Sequence, residues 1–140
     1  MKEYNNFPKG GTVSDKILIV EDDHVLSKAY EIILKKEGYK VETAQDGQKG
    51  IEKAEAFEPD IILLDLLMPV MDGVQFLEVY NSKKAHPKVK IIILSNVGDD
   101  EKVKEAMKLG AYKYLVKAHA SPVQLTRVIK GMLPTTRKKS

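Results

Sequence analysis

Two apolar runs in this chain each end in acid, and together they limit what it can fold into. Ile61-Ile62-Leu63-Leu64 runs straight into Asp65, and Ile17-Leu18-Ile19-Val20 runs into Glu21-Asp22-Asp23. Four consecutive apolar residues without alternation predict a strand buried on both faces, as in the interior of a parallel sheet. Pro59 marks where the strand ending in Asp65 begins, because proline cannot donate to a central ladder. In open α/β sheets, ligands bind just beyond the carboxyl ends of the strands. An acid at that place has three available roles: metal ligand, nucleophile or loop cap. Two such strand ends side by side carry four acids, which repel one another unless a cation lies between them.

The rest of the chain repeats the alternation. Residues 1–15, with Pro8 and the Gly10-Gly11 pair and no periodicity, are expected to form a flexible leader. After the strand at 16–20, a helix is predicted from residue 23 or 24 to 37, with Val25, Leu26, Ala29, Tyr30, Ile32, Ile33 and Leu34 on one face and Gly38 as its stop. Residues 40–44 alternate, which places a second strand near the sheet edge. A helix over about 48–57, the strand 61–65 and an unusually apolar loop 66–71 follow. Asp72 caps a third helix to about Asn81, and a polar connection runs to Pro87. The fourth strand is 90–95. Asp99-Asp100-Glu101 favours the start of a fourth helix, which Gly110 ends. The fifth strand is 113–116, and Ser121-Pro122 opens a last helix to residue 132 or 133. Five such units predict one domain over 16–133, a five-stranded parallel sheet of order 2-1-3-4-5 in a flavodoxin-like (βα)5 three-layer sandwich. Residues 134–140 form a polar basic tail.

Composition narrows the chemistry. With 140 residues the chain can bury a real core. It has 0 cysteines, which excludes disulfides, thiolate catalysis and Cys-ligated zinc. No apolar run approaches the roughly 18 residues that span a membrane, and the N-terminus lacks the apolar segment of a signal peptide. The expected compartment is the cytoplasm. The net charge of +3 matches the three basic residues Arg137, Lys138 and Lys139, so it describes a solvated tail and does not point to nucleic acid.

In the predicted strand order, Glu21, Asp22 and Asp65 share the pocket at the switch point between strands 1 and 3. Carboxylates there suit a small divalent cation such as Mg²⁺. Strands 4 and 5 end beside the same pocket with Ser95, a hydroxyl donor, and Lys117, a mobile point charge. An acid, a metal, a hydroxyl and an ammonium around one point are what phosphoryl transfer to a carboxylate needs.

Val20-Glu21-Asp22-Asp23, the run from Asp65 to Gly73, Ser95, and Tyr114-Leu115-Val116-Lys117 resemble the receiver domain of bacterial two-component response regulators. The resemblance covers about residues 16–133. It implies that Asp65 accepts a phosphoryl group from a sensor histidine kinase or phosphotransfer protein. Asp22 would be the direct Mg²⁺ (or Mn²⁺) ligand, Glu21 would assist through water, and the backbone carbonyl of Leu67 would complete the site with Asp65. Ser95 and Tyr114 match the switch pair, and Lys117 matches the family's lysine. The face of helix 4, strand 5 and helix 5 is then expected to bind a downstream partner or a second copy. The chain is expected to be a signalling module rather than an enzyme, either stand-alone or cut from a longer regulator. One departure stands out: the family's lysine is usually followed by proline, commonly after a cis bond, and Ala118 stands here. A trans Lys117-Ala118 bond is expected, with Lys117 still within reach of Asp65.

Two other classes compete. An aspartate-nucleophile phosphatase would want a second Asp at the position of Leu67. A degenerate receiver that docks partners without phosphorylation would lack part of the acid set, which is complete here.

Overall fold

The computed structural model describes residues 15–133. The expected leader and tail lie outside these residues, apart from Asp15. The elements are β1 (Lys16–Val20), α1 (His24–Lys36), β2 (Lys40–Ala44), α2 (Gly47–Phe57), β3 (Ile61–Asp65), α3 (Gly73–Tyr80), β4 (Lys90–Ser95), α4 (Asp100–Lys108), β5 (Lys113–Val116) and α5 (Pro122–Met132). Two short pieces lie between them: one helical turn at Ser82–Ala85 and one 3-10 turn at Lys117–His119.

All pairings in the sheet are parallel, in the order β2-β1-β3-β4-β5, so β2 is the edge strand its alternation predicts. Along each central strand, side chains point alternately to the two faces. Val20, Ile62, Leu64 and Ile93 face α2, α3 and α4 through Ile51, Phe76, Leu77 and Ala106. Ile17, Ile19, Leu63 and Leu94 face α1 and α5 through Tyr30, Leu34, Leu125 and Ile129. Every residue of β3 is buried, each large apolar side chain contributing roughly 1.5–3 kcal/mol.

Local chemistry sets the helix starts. The side chain of Asp23 accepts from the Leu26 amide, and that of Asp46 from the Lys49 amide. Because Asp46 is the cap, α2 begins at Gly47, one residue earlier than the sequence suggests. Asp72 with Gln75, and Ser121 with Gln124, form reciprocal capping boxes. The connection before Pro87 contains the helical turn that the sequence reading passed over. Asn81 adopts a left-handed conformation (φ 54°), which ends α3 and lets Ser82 start a new turn. His86 then stacks on Tyr80 with ring centroids 4.0 Å apart.

The register sets the pocket. Val20 pairs with Leu64 and Asp65 with Leu94, so the chain leaves β1, β3 and β4 at nearly one level. Glu21, Asp65 and Ser95 therefore gather at the carboxyl edge.

Candidate functional site

Three acids meet at that edge. Carboxylate oxygens of Glu21, Asp22 and Asp65 lie within 4.8 Å of one another. Glu21 and Asp65 are each 1% exposed, while Asp22 is open to solvent. Glu21 is the first residue after β1, and its Oε2 accepts from the amide of Asp23 at 3.0 Å. Asp65 Oδ1 accepts from the Leu67 amide at 3.3 Å, which holds the start of the loop 66–71 beside the carboxylate.

A cation stands between the two buried acids. Lys117 Nζ lies 2.9 Å from Glu21 Oε1 and 3.1 Å from Asp65 Oδ2. These are ion pairs; neither oxygen gains a well-aligned hydrogen bond. Burial, then the charge of Glu21, pushes the Asp65 carboxyl up to about 7, against the opposing pull of Lys117. Burial draws Lys117 down, yet its contacts with Glu21 and Asp65 outweigh that and leave it above the usual lysine range. No cis peptide bond occurs among the described residues, so Lys117-Ala118 is trans, and the lysine still reaches Asp65 as the sequence predicts.

Buried oxygens without aligned hydrogen bonds, beside an exposed third carboxylate, make a hard-oxygen donor set. The arrangement fits a small divalent cation held by Glu21, Asp22 and Asp65.

Ser95 and Tyr114 occupy different surroundings. Ser95 is buried at the end of β4, and its hydroxyl donates to the Leu115 carbonyl at 3.5 Å, the outer limit of a hydrogen bond. Tyr114, in the middle of β5, is half exposed and lines a groove of about 550 Å³ with Asp100, Val103, Lys104, Met107 and Lys108 of α4. The structure thus gathers Glu21, Asp22, Asp65 and Lys117, sets Ser95 at the adjoining strand end, and turns Tyr114 outward.

The loop after Asp65 is apolar because much of it packs. Leu66 is fully buried, and Met68 and Met71 pack against the core. Between them Val70 adopts φ 70°, and the amide of Met71 donates to the Pro69 carbonyl at 2.7 Å, a tight and strained γ-turn. Gly73 lies against the strand end: a Cβ there would stand 2.7 Å from the Asp65 carbonyl oxygen.

One residue near the site escaped the sequence reading. Tyr30 looks like one more apolar position on α1, but it is fully buried and its hydroxyl donates to the Ala120 carbonyl at 2.8 Å. Burial, then the charge of Glu21, pushes its phenol up to about 12, so it remains a protonated donor. His24 stands at the mouth of the site, 3.4 Å from the Gln45 side chain, and His119 is exposed.

Known proteins similar to this chain are numerous. The family model for the response regulator receiver domain matches residues 17–130. The chemotaxis protein CheY of Treponema pallidum is 41% identical over 105 residues, covering 73% of this chain and 72% of that protein. CheY of Thermotoga maritima is 34% identical over 118 residues, covering 84% and 93%. The crystal structure of a CheY-like response regulator receiver domain protein from Methanospirillum hungatei JF-1 superposes with a TM-score of 0.79 at 30% identity, covering 91% of this chain and all of that one.

Proposed function

The chain belongs to the response regulator receiver domain family, and on that premise we propose that it accepts a phosphoryl group on Asp65 from a phosphohistidine donor in a two-component system. The observation that supports this most is the placement of Lys117 between Glu21 and Asp65, with a third carboxylate, Asp22, open to solvent. The donor would be a sensor histidine kinase or a phosphotransfer protein. No helix among the described residues is long and apolar enough to cross a membrane, and a cytoplasmic setting fits such a donor.

In the proposed reaction an ionised Asp65 oxygen attacks phosphorus in line. A P–O bond to the carboxylate forms as the donor's P–N bond breaks, and the leaving imidazole departs with the electron pair. Lys117 presents its ammonium to the phosphoryl oxygens and needs no fixed fork to do so. Asp22, Glu21 and Asp65, with the Leu67 carbonyl, would hold Mg²⁺ or Mn²⁺. The bound metal supplies positive charge that offsets the clustered carboxylates and the incoming phosphoryl oxygens. Ser95 is the donor nearest the strand end, and its long bond to Leu115 leaves it free to turn toward a phosphoryl oxygen.

That movement would alter the face made by α4, β5 and α5. Tyr114 lies on this face, and the groove beside it fits a downstream partner or a second copy of the chain. The phosphatase alternative finds no support, since Leu67 stands where a second acid would act. Incubation with acetyl phosphate and Mg²⁺ tests the proposal. Intact mass should show one added phosphoryl group per chain, lost when the metal is chelated; no gain under saturating donor contradicts it.

A further inference from the structure

We propose that Tyr30 is a positioning residue for Lys117, its hydroxyl holding the loop at 118–120 so that the ammonium stays between Glu21 and Asp65. The proposal rests on the receiver reading for its effect on phosphorylation, but the geometry behind it does not.

Helix α1 starts immediately behind the acid pair, capped by Asp23. Two turns on, Tyr30 lies on the side of α1 that packs against Ile17, Ile19, Leu63 and Leu94. A phenol in that position must find a partner, because an unpaired hydroxyl in an apolar core is costly. It reaches Ala120 at 2.8 Å, across 90 positions of sequence. Ala120 is 2% exposed, and its amide donates to the Lys117 carbonyl at 3.1 Å, closing the turn.

These contacts form a ring. Tyr30 holds Ala120, Ala120 holds the Lys117 backbone, Lys117 Nζ meets Glu21, and Glu21 leads through Asp22 and Asp23 back into α1. The loop has few other restraints. Ala118 and His119 are exposed, and residues 117–120 contain no proline to fix φ. The lysine stem is flexible, so the position of its backbone decides where the charge can rest. A phenylalanine would fill the same core volume; the hydroxyl alone supplies the tether.

Tyr30→Phe in the full chain separates tethering from packing. Reductive methylation, read by peptide mass, should modify Lys117 about fivefold faster than in the unsubstituted protein, the factor one lost hydrogen bond allows. Lys35 and Lys130, on the outer faces of α1 and α5, should be unchanged. The rate of phosphorylation by acetyl phosphate with Mg²⁺ should fall by a similar factor, with no further fall when Tyr30→Phe is added to Lys117→Ala. Unchanged Lys117 labelling, or an equal rate loss in the Lys117→Ala background, overturns the proposal. If the unsubstituted protein gains no phosphoryl group, the receiver reading fails, while the labelling still decides the tether.

Discussion

Lys117 Nζ lies 2.9 Å from Glu21 Oε1, a carboxylate only 1% exposed, and the same ammonium serves Asp65. Removing it leaves two buried negative charges facing each other. The side chain of Lys117 is 20% exposed, so solvent screens part of the pair. Lys117→Met, which keeps the apolar stem, is therefore expected to cost about 1–3 kcal/mol, less than loss of a fully buried pair. Urea unfolding at pH 7 measures it, and saturating Mg²⁺ should narrow the gap between the two proteins.

Asp65 gives the fold a pH dependence of definite sign. Its carboxyl is raised from 3.8 to about 7 in the folded protein. A raised acid binds its proton more tightly folded than unfolded. Its contribution is full below about pH 4 and is lost as pH rises toward 7. Without divalent metal, stability should fall across that window. Asp65→Asn should remove this part of the slope and raise stability at pH 7 by about 1–4 kcal/mol. Unfolding curves at several pH values compare the two; parallel slopes would show that Asp65 titrates normally.

Gly73 supports the strand end from below. A Cβ there would stand 2.7 Å from the Asp65 carbonyl oxygen and 2.9 Å from the Leu66 Cα, both backbone atoms that cannot yield cheaply. Gly73→Ala is expected to cost about 1–3 kcal/mol and to slow phosphorylation by displacing Asp65. Gly131 in α5 is the control, with nothing within 4 Å of its added Cβ. Gly131→Ala should be neutral or stabilise by up to about 1 kcal/mol. Thermal melts of both variants check the contrast.

The outer face should respond to the pocket. Beryllofluoride with Mg²⁺ is expected to shift amide resonances at Ser95 and through 99–133, including Tyr114. Ser95→Ala should confine the shifts to the loops around Glu21 and Asp65. Shifts confined in the same way in the unsubstituted protein would mean that the α4–β5–α5 face does not sense the site.

Much of this was legible in the sequence because its signals are local. Unbroken apolar runs report burial on both faces and acids at their ends report the pocket; with the topology rules for doubly wound sheets added, they lead to the sheet order and to the gathering of Glu21, Asp22, Asp65 and Lys117. Part of what escaped depends on partners distant in sequence. Tyr30 reads as an apolar helix position, and only the folded chain shows its hydroxyl at Ala120. The left-handed Asn81, which splits α3 from the next turn, is in a conformation asparagine adopts readily and so is a local signal left unread, whereas the positive φ of Val70 runs against local preference. No composition rule marks a β-branched residue for such a conformation.

The most direct test of the central claim locates the phosphoryl group. The protein is incubated with acetyl phosphate and Mg²⁺, trapped with hydroxylamine, and the modified residue is identified by peptide mass. Modification at Asp65, absent from Asp65→Asn, is the predicted result. A hydroxylamine-labile phosphate that persists in Asp65→Asn, or that maps to Asp22 or Glu21 in the unsubstituted protein, would contradict it.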